Sequence, residues 1–146
     1  RNRANYADLL SLTDDKACIK LNFTSPTAFK QTNKGHLAQP DPEYVFGSLY
    51  RRWNSFAEDK LPPSLLDVIK TKIEITEQDT KRHKLNFARG RKGTISGFYG
   101  TVSYVIRDDS HEVRQLLNVL AYFASFSGLG LKSTIGMGQV ESDALI

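Results

Sequence analysis

The stretch from Asp109 to Gly128 constrains the fold more than any other part of the chain. Asp109 stands three residues before Glu112, the spacing of a capping box. Val113, Leu116, Leu117, Leu120, Ala121 and Ala124 then recur at helical spacing on one face. Gly128 is placed to end the helix in a left-handed conformation. A helix with one apolar face must cover a second layer, and the rest of the chain reads mostly as strands.

Lys16–Phe23 alternates apolar and polar residues, as a half-buried strand does. Cys18 falls within it and reads as a small buried hydrophobe. Pro26 is expected to end regular pairing. Asp41-Pro42 marks a helix start, with the proline at the first helical position. Val45, Phe46, Leu49, Trp53 and Phe56 share one side of that helix, which is spent by Asp59. Ile73 and Ile75 alternate with polar residues, while His83–Phe87 and Thr94–Ile106 read as two further strands around a hairpin tip at Arg89-Gly90-Arg91. Gly97 and Gly100 interrupt the second of these, where a bulge or close backbone approach is expected. Gln139–Ile146 is a final strand. The order strand, helix, strands, helix, strand is that of the ferredoxin-like (RRM-like) β-α-β-β-α-β fold, an α+β class, with an added β-hairpin. Another open α+β sandwich is the alternative.

The 146 residues suit one domain, read as residues 16–146, with residues 1–15 an N-terminal extension or the end of a linker. The chain opens at Arg1, as expected of a piece of a longer protein. It has no apolar run long enough for a membrane helix, and no secretory signal is expected. One cysteine makes neither an internal disulfide nor a cysteine metal cage, and a reducing cytoplasm is the expected compartment.

The net charge of +4 is compatible with a polyanionic partner. Its distribution says more: Lys81, Arg82, Lys84, Arg89, Arg91 and Lys92 lie in one acid-free run. The segment Gly128–Gly138 is a second candidate. Gly128, Gly130, Gly136 and Gly138 expose backbone N–H groups, Lys132 adds charge, and Ser133 and Thr134 add hydroxyl donors. It is neither a Walker loop, since Leu131 precedes the lysine, nor a dinucleotide fingerprint, since position 133 is serine. Both of those loops also run from strand to helix, whereas this one runs from helix to strand. His36, His83 and His111 lack metal-ligand spacing, and no metal or cofactor is expected. His83 lies among cations that can meet a phosphate. His36 is a weak candidate for a general acid or base. Trp53 reads as core, and one of Phe98 and Tyr99 should face away from it.

Ser25–Phe29 (SPTAF), Leu49–Asn54 (LYRRWN), Gly97–Gly100 (GFYG), the helix NVLAYFASFSGLG and the loop GLGLKSTIGMGQV together resemble the C-terminal half of Cas6, from about Lys16 to Val140. The resemblance implies a precursor CRISPR RNA endoribonuclease with two ferredoxin-like domains, of which this chain is the second. It implies that the glycine-rich loop contacts RNA and that a β-hairpin places the repeat stem. It also implies metal-free cleavage, in which a ribose 2′-hydroxyl attacks the adjacent phosphate. The catalytic histidine lies in the first domain in many members, so it is not assigned here. A non-catalytic guide-RNA-binding subunit, or an RNA-delivery module fused to other CRISPR machinery, is the alternative. Repeat RNA, and other CRISPR effector subunits, are the implied partners.

Overall fold

A computed structural model describes residues 6–31, 35–37, 39–86, 94–127 and 139–142. The elements are α1 (Tyr6–Leu10), β1 (Cys18–Thr27), β2 (Phe29–Gln31), β3 (Gly35–Leu37), α2 (Pro42–Phe56), α3 (Ser64–Thr71), β4 (Ile73–Asn86), β5 (Thr94–Ile106), α4 (His111–Ser127) and β6 (Val140–Ser142). The main sheet is antiparallel in the order β4-β5-β1-β6, the ferredoxin-like arrangement, and β2 and β3 form a separate hairpin. The extra hairpin expected between the two helices adds no strand of its own, being the far part of the β4–β5 pair, and the hairpin β2–β3, inserted between β1 and the first long helix, was not expected.

Strand β1 shows why the layers stack as they do. Ile19, Leu21 and Phe23 are buried, so the period of two turns Cys18, Lys20 and Asn22 to the other face. Cys18 is thus exposed, contrary to the sequence expectation. Three large apolar side chains of one parity outweigh a single thiol of the other. Beneath the sheet, α2 contributes Val45, Phe46, Leu49 and Trp53, and α4 contributes Leu117, Leu120 and Phe123. Burying a side chain of that size is worth about 1.5–3 kcal/mol. Phe46 meets Tyr104 edge to face at 5.2 Å between ring centroids, and Trp53 meets Phe123 at 5.2 Å. The residue-6 end joins this core, because Tyr6 packs 4.8 Å from Trp53 and Leu9 is buried.

Several expectations need correction. Phe56 is 72% exposed. It is the last residue of α2, where the chain turns extended at Ala57, and buried Ala57 and Leu61 close the core below Trp53 instead. Helix α3 follows Pro62-Pro63, was not expected, and buries Leu65 and Ile69, four residues apart. Strand β1 continues through Pro26 to Thr27, with a register shift between Phe23 and Thr27 absorbing the proline. Strand β4 is one continuous strand and not two, because β5 offers partners from Ile106 to Thr94. The N-terminal cap of α4 is Ser110, whose Oγ accepts from Val113 N–H, rather than Asp109. Asp108 accepts in turn from Ser110 N–H at 2.9 Å. Of the final strand, Val140–Ser142 is described, and residues 143–146 lie outside the described residues.

A polar clasp fixes the entry to β1. Arg114 donates to the carbonyls of Asp15 and Asp108, each at 2.9 Å, and buried Asn118 donates to Lys16 O at 3.0 Å. Tyr122 donates its hydroxyl to Asp14. Burial first, and the Asp14 carboxylate second, push the Tyr122 phenol from 10.0 up to about 12. An unfolded tyrosine ionises about two units lower, so this contribution to stability is full below pH 10 and is lost as pH rises from 10 to 12. Tyr122→Phe should lower the urea midpoint at neutral pH, and the gap from wild type should close across that window. A gap that stays constant to pH 12 counts against the Tyr122–Asp14 pairing.

Candidate nucleic-acid interface

The β4–β5 hairpin runs farther than the sheet that carries it. Fourteen residues of β4 span about 46 Å at about 3.3 Å per residue. The last β1 partner on β5 is Phe98, opposite Thr27. Four more pairs, His83↔Gly97 to Asn86↔Thr94, continue beyond it as a two-stranded ribbon. Lys81 and Arg82 sit where the ribbon leaves the sheet, and both are exposed. The Lys84 backbone lies on the ribbon, while Arg89, Arg91 and Lys92 lie outside the described residues.

Two glycines permit this exit. At Gly97 a Cβ would stand 2.9 Å from Pro26 Cβ and from Thr27 N. Gly100 has φ +127°, and a Cβ there would stand 2.2 Å from the Asp79 carbonyl oxygen. Between them, Phe98 packs into the core against Phe23, with ring centroids at 4.7 Å, while Tyr99 is 38% exposed and pairs in register with Lys81. The expected split between Phe98 and Tyr99 is therefore present. It places an aromatic ring beside a cation, a combination suited to stacking a base next to a phosphate.

The charge changes sign along β4. Glu74, Glu77 and Asp79 precede Lys81 and Arg82. Glu74 pairs with Arg107 at 2.9 Å, whereas Glu77, Asp79, Lys81 and Arg82 make no ion pair within the described residues. The open sheet face beside the acidic stretch forms a shallow hollow lined by Lys20, Glu77, Gln78, Asp79, Thr101 and Ser103. Two carboxylates repel phosphate there, and none of these residues offers a ring to a base. That hollow is unlike the aromatic platform on which an RRM sheet stacks bases.

Other segments converge on the ribbon's base. Hairpin β2–β3 lies beside β5. Phe29 packs near Phe98, at 6.3 Å between ring centroids. Lys30 and His36 are opposite one another in that hairpin. Gly128, Gly130, Lys132, Ser133, Thr134, Gly136 and Gly138 lie outside the described residues, but the flanks of their segment are placed. Arg52 Nη1 donates to Ser127 O at 2.9 Å. Gln139 N donates to Ser25 Oγ at 2.8 Å, and its carbonyl accepts from Thr24 N at 2.9 Å. The segment thus returns at the β1 register shift, the same end of the sheet from which the ribbon leaves. Reading along the sequence did not single out Arg52, Thr24 or Ser25 as anchors, because each acts only across a long chain separation.

His111 lies elsewhere. It pairs with the Asp15 carboxylate beside Arg114. The His111 hydrogen bond, and next the charges of His111 and Arg114, hold the Asp15 carboxyl below its usual range. This is a clasp between α4 and the entry to β1. Among the described residues no three His, Cys, Asp or Glu side chains are grouped to hold a metal ion, and no helix is long and apolar enough to cross a membrane.

The sheet order and the two long helices packed beneath it define a ferredoxin-like α+β domain. Residues 21–140 match the family model described as CRISPR-associated endoribonuclease Cas6, and the chain belongs to that family. The CRISPR-associated endoribonuclease Cas6 of Mycobacterium tuberculosis is 28% identical over 143 residues, covering 97% of this chain and 44% of that protein. The Streptococcus thermophilus Cas6 is 21% identical over 136 residues, covering 92% of this chain and 54% of its own length. The solved Thermus thermophilus Cas6 superposes with a TM-score of 0.85 at 24% identity, covering 95% of this chain and 58% of that one. The chain spans about half the length of these relatives.

Proposed function

We propose that this chain is the RNA-binding domain of an endoribonuclease that cuts precursor CRISPR RNA within its repeats. The observation that carries the reading is the cationic ribbon, which projects past the sheet with Lys81 and Arg82 exposed beyond the acidic stretch. RNA hairpins are held through phosphates and shape, and such a ribbon fits along a helical backbone. Lys84, Arg89, Arg91 and Lys92 extend the same run of charge, and the glycine-rich segment with Lys132, Ser133 and Thr134 adds a second phosphate contact near the sheet end where Gln139, which follows it, is anchored.

Cleavage in this reading is a transesterification. A base takes the proton of a ribose 2′-hydroxyl as the 2′ oxygen bonds to phosphorus. The bond from phosphorus to the 5′ oxygen breaks, and an acid protonates the leaving oxygen. A cyclic phosphate and a 5′-hydroxyl remain. No metal enters these steps. This domain supplies binding. His36 on β3 is the weak candidate within it for proton transfer, beside catalytic groups contributed by the rest of the longer protein.

The test uses labelled repeat RNA. The full-length protein should cleave it in EDTA, and loss of cleavage there would remove the metal-free mechanism. The 146-residue chain alone should bind weakly and cut nothing. Lys132→Ala should weaken binding about fivefold and reduce the salt dependence by about one phosphate contact. Unchanged affinity and slope would make the glycine-rich segment purely structural.

A further inference from the structure

Tyr99 stands where the sheet narrows to the ribbon. The alternation that buries Phe98, Val102 and Tyr104 turns Tyr99, Thr101 and Ser103 to the open face of β5. Their register partners there are Asn22 and Lys20 on β1, and Lys81, Asp79 and Glu77 on β4. Tyr99 is the one ring in this set, and it is 38% exposed. Segments suited to phosphate flank it on both sides. Lys81 pairs with it on β4. On the β1 side the register passes from Phe23↔Gly100 to Thr27↔Phe98, so Thr24, Ser25 and Pro26 lie opposite Tyr99. Thr24 and Ser25 hold Gln139, the residue that follows the glycine-rich segment. Farther over the open face come acids, Asp79 opposite Thr101 and Glu77 opposite Ser103.

We propose that Tyr99 stacks on one unpaired base at the foot of the repeat stem, and that Asp79 and Glu77 keep the strand from running farther over the sheet. The proposal rests on the RNA-binding reading and names the part of the RNA that the sheet meets. Bases within a stem are stacked on one another, whereas an unpaired base has a π-face to offer a ring. Lys81 holds the phosphate beside that base, and a backbone that continued past Tyr99 would meet two carboxylates. An RRM sheet carries aromatics for two or three bases. Here a single ring takes a single nucleotide, and it tolerates any base because stacking is largely indifferent to sequence.

The 146-residue chain in about 50 mM salt, where phosphate contacts are strong, tests this with two RNAs. One is the bare repeat stem, and the other carries one unpaired nucleotide on each strand at its foot. Wild type should bind the flanked RNA about tenfold more tightly than the bare stem, and should quench 2-aminopurine placed at one of the two flanking positions. Tyr99→Leu should lose both effects yet bind the bare stem as wild type does, which also shows that it is folded. Tyr99→Trp should keep both. Lengthening the flanks to about four nucleotides should add less than about twofold for wild type and several-fold for E77Q/D79N, in which the repulsion of phosphate is gone. The proposal is overturned by a Tyr99→Leu variant that keeps the preference for flanked RNA, by one that weakens both RNAs equally, or by a wild type that gains from longer flanks as much as E77Q/D79N does. Failure of wild type to bind either RNA would instead overturn the RNA-binding reading, and this inference with it.

Discussion

Replacing Lys81 and Arg82 together by alanine is expected to weaken repeat-RNA binding about 30-fold, since each charged interaction with a phosphate is worth about 1 kcal/mol. Both side chains are exposed and make no ion pair within the described residues, so their removal leaves no buried carboxylate unpaired. Their neighbours in the β4–β5 register are Tyr99 and Phe98. Phe98 stays in the core, and the thermal midpoint should hold to within about 1 °C, as for surface substitutions generally. The salt dependence of binding should flatten by about two phosphate contacts. Binding titrations at three salt concentrations measure both. An unchanged slope would show that RNA does not run along the ribbon's base.

Gly100→Ala should have the largest effect on stability, about 3 kcal/mol and about 10 °C in the thermal midpoint. The methyl group would stand 2.2 Å from the Asp79 carbonyl oxygen, and φ +127° is poorly tolerated by any residue with a Cβ. The obstructing atom is backbone, so relief requires β4 to move away from β5 in mid-hairpin. The ribbon leaves the sheet just past this point, and RNA binding should weaken along with stability. Differential scanning calorimetry gives the answer, and a midpoint within about 2 °C of wild type would show that the hairpin absorbs the clash. Gly97→Ala meets Pro26 at 2.9 Å, a milder contact, and should cost less.

Much of the fold is legible along the chain because its signals are local. The apolar face of α4 repeats every three or four residues, and Asp41-Pro42 opens α2. Helix α3 was not read from the sequence although Leu65, Val68 and Ile69 lie at helical spacing, since only eight residues after two prolines carry the pattern. The middle of β4, Thr76–Thr80, has no apolar alternation because it belongs to an edge strand. Only its partner β5 makes it continuous with what precedes and follows.

The candidate interface divides along the same line. By itself the sequence determines which groups are available: the acid-free cationic run, the glycine-rich segment, and two glycines in a strand otherwise rich in large residues. These are facts of composition and spacing, and they carry the family resemblance with them. The tertiary structure decided where the groups stand. It turned Cys18 outward, put Phe98 rather than Tyr99 into the core, tied Gln139 to Thr24 and Ser25, and left the outer edge of β4 without a strand partner among the described residues. The physical reason is range. Periodicity and capping act over a few residues, whereas strand pairing and burial act between residues far apart in the chain, where the sequence alone specifies no distance.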